Sequence, residues 1–457
     1  MALQSRRDGT PVPYGWNSRC DVPRSLLASL YLLVPPDRDP LLVEGTALFA
    51  IFTDTLDLHP MKIIHTADWH VGHELYGYNR EEEFDYFFTQ LSQLMAEEQP
   101  DALLVSGDVY DSYMPSNAAV KQLNTALLSL HEASPETEII LTAGNHDSGL
   151  RLEAAAPPWL SHRIHLIGTI DPTLERNRIE IAGKGVVMAI PFCYPANFPH
   201  KESDPVEGRQ ERFFQRVSEQ LSKESLPTVL MAHLYLSGVQ LNGTRQPRDI
   251  VGGSEAMLLS DIGTGYDYLA LGHIHRRQWV GDRTLYSGSP LPISFDEPAE
   301  HGVLVVELDR GIAPRVDFRQ MKTLRPLLTL PEEAVSYSDA IDLLRTIDAD
   351  KQAYIRLHVK VNGDAPLPFD YLEQATKALE GKSARYCTVK VESPESVAAE
   401  RVEQRMVSPD ELNTYTAQRI VEMYLEEHTD LSEEGRQELL DLFGTIDEVC
   451  SQEGITI

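Results

Sequence analysis

The chain has 457 residues, of which 42% are hydrophobic and 24% charged, with a formal net charge of −30. This length exceeds one hydrophobic core and indicates two or three domains, and the composition excludes a disordered or fibrous protein. Apolar runs stay below the roughly 18 residues of a membrane-spanning helix. Four cysteines without metal-type or disulfide-type spacing indicate a reducing, cytoplasmic location.

Residues 1–60 differ from the sequence that follows them. They are rich in Pro and Arg, and they carry one short apolar stretch at 26–34. Met61 then opens MKIIHTADWH, in which a buried strand begins at once. We expect residues 1–60 to be a poorly ordered accessory extension or a wrongly assigned upstream start.

Strands and helices alternate from residue 61 to residue 323, which predicts an α/β domain with two packed sheets flanked by helices. The predicted strands are continuous Val, Ile and Leu runs, typical of a sheet covered on both faces. They span residues 62–66, 102–106, 139–142, 186–190, 229–232, 268–271, 284–287 and 302–308. Helices are predicted over 82–98 and 117–132. In the second helix, Leu123, Leu127 and Leu130 form a stripe that faces either the core or a second copy of the chain.

Residues 324–395 repeat this alternation on a smaller scale and predict a separate small α+β domain. Its strands are expected at 326–330, 353–361 and 385–391, and its helices at 337–346 and 369–379.

Residues 396–457 are predicted to form a helical tail. Ser408-Pro409-Asp410-Glu411 is a strong helix start, with Ser as N-cap and Pro at the first helical position. A second helix is expected after Ser432. Residues 391–457 hold seventeen acidic and four basic residues, a net charge of −13. Such a tail either binds a basic protein partner or keeps the chain soluble.

Five short polar turns follow predicted strands. They are TADWH (Asp68, His70), SGDVYD (Asp108, Asp111), AGNHD (Asn145, His146, Asp147), AHL (His233) and LGHIH (His273, His275). Asp68, Asp108 and Asn145 are separated by 40 and 37 residues, each the length of one strand–helix–strand unit. These three should therefore follow neighbouring parallel strands. Because all five turns follow strand ends, we expect the sheet to bring them together at one edge. Asp68 and His70, two apart, should project to the same side of an extended backbone.

This mixture of side chains has a specific chemistry. Carboxylate, amide and imidazole ligands suit Mn, Fe or Zn better than Mg or Ca, which prefer oxygen. One such turn alone is a weak signal, since a lone histidine such as His65 is more often structural. Together the five predict a two-metal centre that clamps an in-line displacement at phosphorus. The sequence therefore indicates a phosphoester-cleaving enzyme.

The five turns resemble those of the calcineurin-like metallophosphoesterase superfamily. Two longer segments, MKIIHTADWHVG and LYSGSPLPISFDE (285–297), are similar to the bacterial SbcD nuclease family, the catalytic half of the SbcC–SbcD DNA-repair complex. The resemblance covers about 61–318 closely. The small domain and tail match by order and size to about residue 446, and residues 1–60 have no counterpart.

The resemblance implies two divalent metal ions, with Mn expected, held by seven side chains. Asp108 would bridge the ions, with Asp68, His70 and His275 on the first and Asn145, His233 and His273 on the second. His146 would be a catalytic acid or charge stabiliser, because the leaving oxygen needs a proton or a positive charge. Asp111 could orient His146.

The activity implied is that of a DNA nuclease subunit, a double-strand 3′–5′ exonuclease and single-strand or hairpin endonuclease for repair and recombination. Its partner would be an SbcC-type, SMC-like ATPase whose coiled coil is gripped by the tail helices. The small domain would cap the active site, and two copies would form a homodimer within a heterotetramer. The partner would supply the basic surface for DNA that this acidic chain lacks.

Two alternatives share this fold. A phosphomonoesterase or protein phosphatase of this type follows the GD motif with Asp-Arg-Gly, whose arginine holds a terminal phosphate, and reads GNHE. Here Ser112 and Tyr113 follow Asp111, and Asp147 replaces the Glu. A non-catalytic scaffold would have lost metal ligands, and none is missing.

Overall fold

The computed structural model describes residues 60–200, 205, 207–240, 256–297, 300–361 and 367–392. The predicted extension, up to residue 59, and the predicted tail helices lie outside these described residues. Among the described helices, none is long and apolar enough to cross a membrane.

Strands and helices follow one another along the described chain. The strands are β1 (Met61–Thr66), β2 (Glu74–Leu75), β3 (Tyr78–Asn79), β4 (Ala102–Ser106), β5 (Glu138–Thr142), β6 (Ile164–Ile167), β7 (Arg178–Ile181), β8 (Gly185–Ala189), β9 (Thr228–His233), β10 (Tyr268–Gly272), β11 (Gln278–Gly281), β12 (Thr284–Tyr286), β13 (Gly302–Leu308), β14 (Arg315–Gln320), β15 (Leu327–Val335), β16 (Tyr354–Lys360) and β17 (Arg385–Glu392). The α-helices are α1 (Glu81–Glu98), α2 (Asn117–Ala133), α3 (Gly149–Ala154), α4 (Arg209–Leu221), α5 (Leu259–Ile262), α6 (Tyr337–Thr346) and α7 (Tyr371–Ala378). Single 3₁₀ turns occur at Leu160–His162 and Pro195–Asn197.

Two six-stranded mixed sheets form the larger unit. The first has the strand order β14-β13-β1-β4-β5-β6, and the second has the order β11-β12-β10-β9-β8-β7. In the first sheet β1, β4, β5 and β6 are parallel neighbours, and β13 pairs with β1 in the antiparallel sense. In the second, β8, β9, β10 and β12 are parallel neighbours. The predicted two-sheet α/β fold is confirmed.

Alternate residues of each strand face different parts of the core. Ile64 of β1 belongs to an apolar cluster with Phe87 of α1 and Leu127 of α2, which cover the outer face of the first sheet. Its neighbour Ile63 belongs to the cluster between the two sheets, together with Val229 of β9. Burial on both faces explains why consecutive residues of these strands, such as Ile63 and Ile64, are apolar.

Helix α2 begins at the N-cap Ser116, whose hydroxyl accepts a hydrogen bond from the Ala119 amide at 3.2 Å. Leu123, Leu127 and Leu130 are almost fully buried in the core. The leucine stripe therefore packs inward, and the alternative that it faces a second copy is wrong for these three residues.

The strands β15, β16 and β17 form a separate three-stranded parallel sheet. With α6 and α7 it has its own apolar core, which includes Leu344, Ile355 and Ala375. We call residues 327–392 of this part the three-stranded unit. Its strand–helix–strand–helix–strand order is the one expected for the small α+β domain.

Candidate metal centre

The five motif turns come from two sheets. Asp68, Asp108 and Asn145 follow β1, β4 and β5, which are parallel neighbours in the first sheet, as their spacing predicted. His233 ends β9, and the turn with His273 and His275 follows β10; these strands are neighbours in the second sheet. The expectation that one sheet edge gathers all five turns is therefore wrong. The donors meet where the carboxyl ends of the two sheets adjoin.

The backbone at four of the predicted site residues is left-handed, with φ of 53° at Asp68, 48° at His70, 48° at Asp108 and 95° at His273. The expected extended backbone between Asp68 and His70 is therefore wrong. The first two turns instead fold against each other, since the amides of Asp68 and His70 donate to the carbonyls of Gly107 and Asp108, both at 3.0 Å. A left-handed non-glycine residue costs on the order of 1–3 kcal/mol, and such strain concentrates at functional sites.

Two glycines leave room for the donors. A Cβ atom on Gly144 would collide with the Asp108 carboxylate, and one on Gly107 would collide with the His233 ring. Gly107 also has a φ of +86°, which side chains rarely adopt. The glycines of the SGDVYD and AGNHD motifs are thus required by close approach to predicted ligands.

Four donors form one group, which we call the His233 half: Asp108, Asn145, His233 and His273. Asn145 Oδ1 lies 2.9 Å from both His233 Nε2 and His273 Nδ1, and the two nitrogens are 3.3 Å apart. Asp108 Oδ2 lies 3.3 Å from His233 Nε2. Ligands about 2.1 Å from one ion are separated by roughly 3.0–3.4 Å in octahedral or tetrahedral geometry. The spacing in the His233 half therefore fits a divalent metal ion.

The second group, which we call the His275 half, consists of Asp68, His70 and His275. Their donor atoms all lie within 4.8 Å of one another. His70 Nε2 and His275 Nε2 are 3.3 Å apart. Two imidazole nitrogens at this distance repel unless a proton or a metal ion lies between them. This half also fits a cation.

Asp108 connects the two halves. Its Oδ2 atom lies 3.3 Å from His233 Nε2 and 3.7 Å from His70 Nε2. Its Oδ1 atom accepts a hydrogen bond from the His146 amide at 2.9 Å. One oxygen therefore faces both groups of imidazoles while the other is fixed by the AGNHD turn, as a bridging ligand requires.

Two histidines, His233 and His275, are oriented by a hydrogen bond at the nitrogen that points away from the centre, and the outer nitrogen of His70 faces a carboxylate without a hydrogen bond. His233 Nδ1 lies 2.9 Å from the carbonyl oxygen of Ser106, His275 Nδ1 lies 3.1 Å from Glu297 Oε1, and His70 Nδ1 lies 3.3 Å from Asp111 Oδ1. A proton on each outer nitrogen leaves the Nε2 lone pair directed inward. Glu297 had no assigned role in the sequence analysis, although it ends the 285–297 segment that carried the family resemblance.

The surroundings raise the pKa of two histidines of the centre and lower that of a third. Burial lowers the pKa of His70, but the carboxylates of Asp111, Asp108 and Asp68 outweigh it and raise that pKa to about 9. Burial likewise lowers the pKa of His233, but Asp108 and Asp68 outweigh it and raise that pKa to about 9. Burial and the neighbouring His233 lower the pKa of His273 to about 3.

The pKa values of the two central carboxyl groups, Asp68 and Asp108, shift in opposite directions. Burial raises the pKa of Asp68 despite the nearby imidazoles. The pKa of Asp108 lies well below its ordinary value, because His233 and His70 outweigh its burial. Asp108 therefore keeps its negative charge, which suits the carboxylate that faces both halves.

His146 lies on the open side of the cluster. Its side chain is exposed, whereas Asp68, His70, Asp108 and His233 are buried. Its Nδ1 lies 3.0 Å from the backbone carbonyl of Asp111, so a proton there leaves Nε2 free. Asp111 thus contacts His146 through its backbone, while its carboxylate faces His70 instead.

Asp147 joins the second and third motif turns and does not face the cluster. Its buried carboxylate accepts hydrogen bonds from the amides of Val109, Tyr110 and Gly144 at 2.8–2.9 Å. Burial and the charge of Asp108 raise its pKa to about 6. The residue that replaces the phosphatase-type Glu therefore holds the turns of Asp108 and Asn145 together.

The family model described as calcineurin-like phosphoesterase matches residues 61–277. The chain is 32% identical over 361 residues to the SbcD subunit of nuclease SbcCD from Rhodobacter capsulatus, covering 74% of this chain and 88% of that protein. It is also 32% identical over 252 residues to the SbcD subunit of nuclease SbcCD from Bacillus subtilis, covering 52% of this chain and 63% of that protein. A solved dimetal phosphatase from Danio rerio aligns with a TM-score of 0.36 and 13% identity, over 58% of this chain and 98% of that one.

Proposed function

Because the chain belongs to the SbcD nuclease family of calcineurin-like phosphoesterases, which hydrolyse phosphoester bonds, we propose that it is the metal-dependent nuclease subunit of an SbcCD-type complex. Its reactions would be 3′–5′ exonuclease cleavage of duplex DNA and endonuclease cleavage of single strands and hairpins. The observation that carries this proposal is the cluster of seven donors that two sheets bring within ligand distance.

We assign one ion to each half of the cluster, with Asp108 bridging them, and we expect Mn in both. When bound, divalent ions supply positive charge to phosphate oxygens and activate water. Among the described residues of the cluster, His146 is exposed and Asn145, His273 and His275 are partly accessible, whereas Asp68, His70, Asp108 and His233 are buried. A phosphodiester is therefore expected to approach from the side of the accessible residues.

His146 is proposed to act on the leaving oxygen. Its Nδ1 is occupied by the carbonyl of Asp111, and its ring lies 4.9 Å from that of His70, measured between centroids. When the imidazole carries a proton on both nitrogens, Nε2 can donate a proton or a hydrogen bond to an oxygen that develops negative charge. Asp111 has two roles in this proposal, with its carbonyl orienting His146 and its carboxylate orienting His70.

A diester substrate is favoured over a monoester by the residues after Asp111. Phosphatases of this fold carry an arginine after this aspartate, and in this chain Ser112 and Tyr113 follow Asp111 instead. Without that guanidinium, a terminal phosphate dianion loses its bidentate partner. A diester has one negative charge fewer and needs less compensation.

A test compares the two substrate classes with the full chain and Mn²⁺. We expect cleavage of hairpin and blunt duplex DNA and little hydrolysis of para-nitrophenyl phosphate. The His146→Gln variant provides the background rate for both substrates. Hydrolysis of the monoester without any cleavage of DNA would instead establish the phosphomonoesterase.

The ATPase partner is proposed to bind the acidic tail. Deletion from Met406 onward should preserve cleavage of short DNA by the chain alone and abolish capture of an SbcC-type ATPase. A pull-down in which the truncated chain still retains the ATPase would contradict this assignment.

The homodimer is proposed to form across the exposed side of α2. Apolar side chains there are unusually accessible, namely Tyr113 at 62%, Met114 at 70%, Leu128 at 42% and Leu150 at 75%. Tyr113 and Leu128 line a groove of about 660 Å³, and Met114 and Leu150 are next in sequence to residues that line it. Exposed apolar patches of this kind mark protein interfaces. Light scattering should give a dimer for the native chain and a monomer for Leu128→Glu.

A further inference from the structure

The loop from Pro292 to Glu297 reaches the His275 half from the side of the three-stranded unit. Its last residue, Glu297, has a side chain only 1% exposed. Glu297 Oε1 lies 3.1 Å from His275 Nδ1, and Oε2 accepts a hydrogen bond from the Ile293 amide at 2.9 Å. The orientation of His275 therefore depends on the conformation of this loop.

The two residues before Glu297 contact the three-stranded unit. Arg356 of β16 donates to Asp296 Oδ1 at 2.6 Å and to the Phe295 carbonyl at 3.3 Å. Its guanidinium carbon also lies 5.1 Å from the centre of the Phe295 ring. The Arg356 side chain is 13% exposed and that of Asp296 is 39% exposed, so the Arg356 end of the ion pair is buried while the Asp296 end reaches the surface.

Arg356 is itself fixed within the three-stranded unit. Its Nε donates to Thr329 Oγ1 on the neighbouring strand β15 at 3.0 Å. A displacement of this sheet would therefore carry the guanidinium with it. Between Arg356 and the metal-ligand candidate His275 there are only two successive loop residues, Asp296 and Glu297.

The other end of the loop is held by the larger unit. The buried Arg80 donates to the carbonyl of Pro292 at 2.8 Å, and the same nitrogen lies 3.4 Å from His73 Nδ1. The Phe295 ring packs 5.9 Å from that of Tyr76, between centroids. With its start anchored at Pro292, the loop can transmit movement of the three-stranded unit mainly through residues 295–297.

We propose that Glu297 is a positioning residue for His275, and that Arg356 is the contact through which the three-stranded unit controls it. Seating of that unit would hold the His275 half ready for its ion, and displacement would weaken that half alone. The inference rests on the proposed metal-dependent function and adds a regulatory residue outside the donor set. Outer partners of ligating histidines typically change metal affinity by about 10–100-fold.

The test is a titration of the full, metal-free chain with Mn²⁺, followed by electron paramagnetic resonance and calorimetry. Glu297→Gln should weaken one of two ions by about 10–100-fold. Arg356→Ala and Asp296→Asn should weaken that same ion by a smaller factor, and Arg356→Lys should restore part of it. The other ion should bind as in the native chain.

Arg385→Ala is the matched control. Arg385 lies on β17 and joins the same two units by donating to Tyr354 Oη at 3.0 Å and to the Asn79 carbonyl at 3.2 Å, away from the 292–297 loop. It should leave both Mn²⁺ affinities unchanged. Melting of each metal-free variant checks that the fold is retained.

Three results would overturn the inference while leaving the nuclease proposal intact. The first is Arg356→Ala binding both ions with native affinity. The second is equal loss in Arg356→Ala and Arg385→Ala, which would indicate general loosening between the units, and the third comes from a double variant. A double variant of Glu297→Gln and Arg356→Ala should lose little more than Glu297→Gln, since both act through one residue; fully additive losses also count against it. A native chain that binds no Mn²⁺ would overturn the proposed function itself.

Discussion

The two halves of the donor cluster are built differently. In the His233 half, His233 is oriented by the carbonyl of Ser106, at the end of the central strand β4. In the His275 half, the outer nitrogens of the two histidines face the carboxylates of Asp111 and Glu297, which lie in loops. A carboxylate partner makes an imidazole a more basic ligand than a neutral carbonyl does. One half is therefore fixed by the sheet, and the other depends on charged loop residues that can be displaced.

Loss of the Asp108 carboxylate should weaken both halves of the cluster alike, because its Oδ2 atom faces both of them. We expect Asp108→Asn to bind neither ion tightly and to lower DNA cleavage by more than about 10⁴-fold. Metal analysis after gel filtration, alongside the cleavage rate, measures both effects. Retention of two ions with near-native activity would show that Asp108 is not the bridge.

A change at His146 should leave both halves intact and lower the rate. His146→Gln is expected to reduce the cleavage rate by about 10²–10⁴-fold, the usual contribution of a general acid. The Mn²⁺ content should stay at the native value, because the His146 imidazole Nδ1 contacts the Asp111 carbonyl and only its amide contacts Asp108. Loss of both ions in this variant would make His146 a ligand or a structural residue instead.

The carboxylate of Asp111 offers a way to perturb one half. Asp111→Asn removes the charge near His70 Nδ1 and keeps the backbone carbonyl that orients His146. The ion of the His275 half should bind about 10–100-fold more weakly, and the other ion should be unaffected. A Mn²⁺ titration distinguishes this from equal weakening of both ions, which would mean that the halves are not separable.

Protons should compete with metal in both halves. The pKa of His70 and of His233 is about 9 in the folded metal-free chain, against an ordinary value of 6.5. Each imidazole must lose its proton to bind an ion, so affinity should fall by roughly tenfold per pH unit per displaced proton below pH 9. Calorimetry in buffers of different ionisation enthalpy counts the released protons, and no release at pH 7 would contradict these shifts.

The same two histidines should make the free energy of unfolding of the metal-free chain fall as the pH rises, whereas metal affinity should increase. A folded-state pKa above the unfolded value stabilises the fold while the group is protonated. That contribution is complete below pH 6.5 and is lost as the pH rises through about 9. Chemical denaturation of the metal-free chain across this range should therefore show a falling free energy of unfolding. Constant stability would indicate that neither histidine holds a proton.

Strands buried on both faces were the most predictable part of the fold. The predicted spans 102–106 and 302–308 match β4 and β13, and the predicted 337–346 helix matches α6. Edge strands were missed, because β7 (RIEI) and β14 (RVDFRQ) alternate between exposed and less exposed residues over a few positions. Helix α4 was also missed, since its sequence RQERFFQRVSEQL has few apolar residues.

The sequence predicted which residues form the donor cluster but not how the two sheets bring them together. Motif spacing placed Asp68, Asp108 and Asn145 on neighbouring strands, which the parallel pairing of β1, β4 and β5 confirms. Spacing contains no information on how two sheets pack, so the convergence of His233 and His273 from the second sheet could not be derived. The role of Glu297 was also out of reach, because it depends on a loop fold 22 residues after His275.

The left-handed backbone at Asp68, His70, Asp108 and His273 restricts how this centre can change by mutation. Beyond glycine, the residue types that most readily adopt such torsions are asparagine, aspartate and histidine. Those three are also oxygen or nitrogen donors for metals. Neutral drift at these positions is thus confined by main-chain geometry to side chains that can still coordinate a cation, before any selection for catalysis acts.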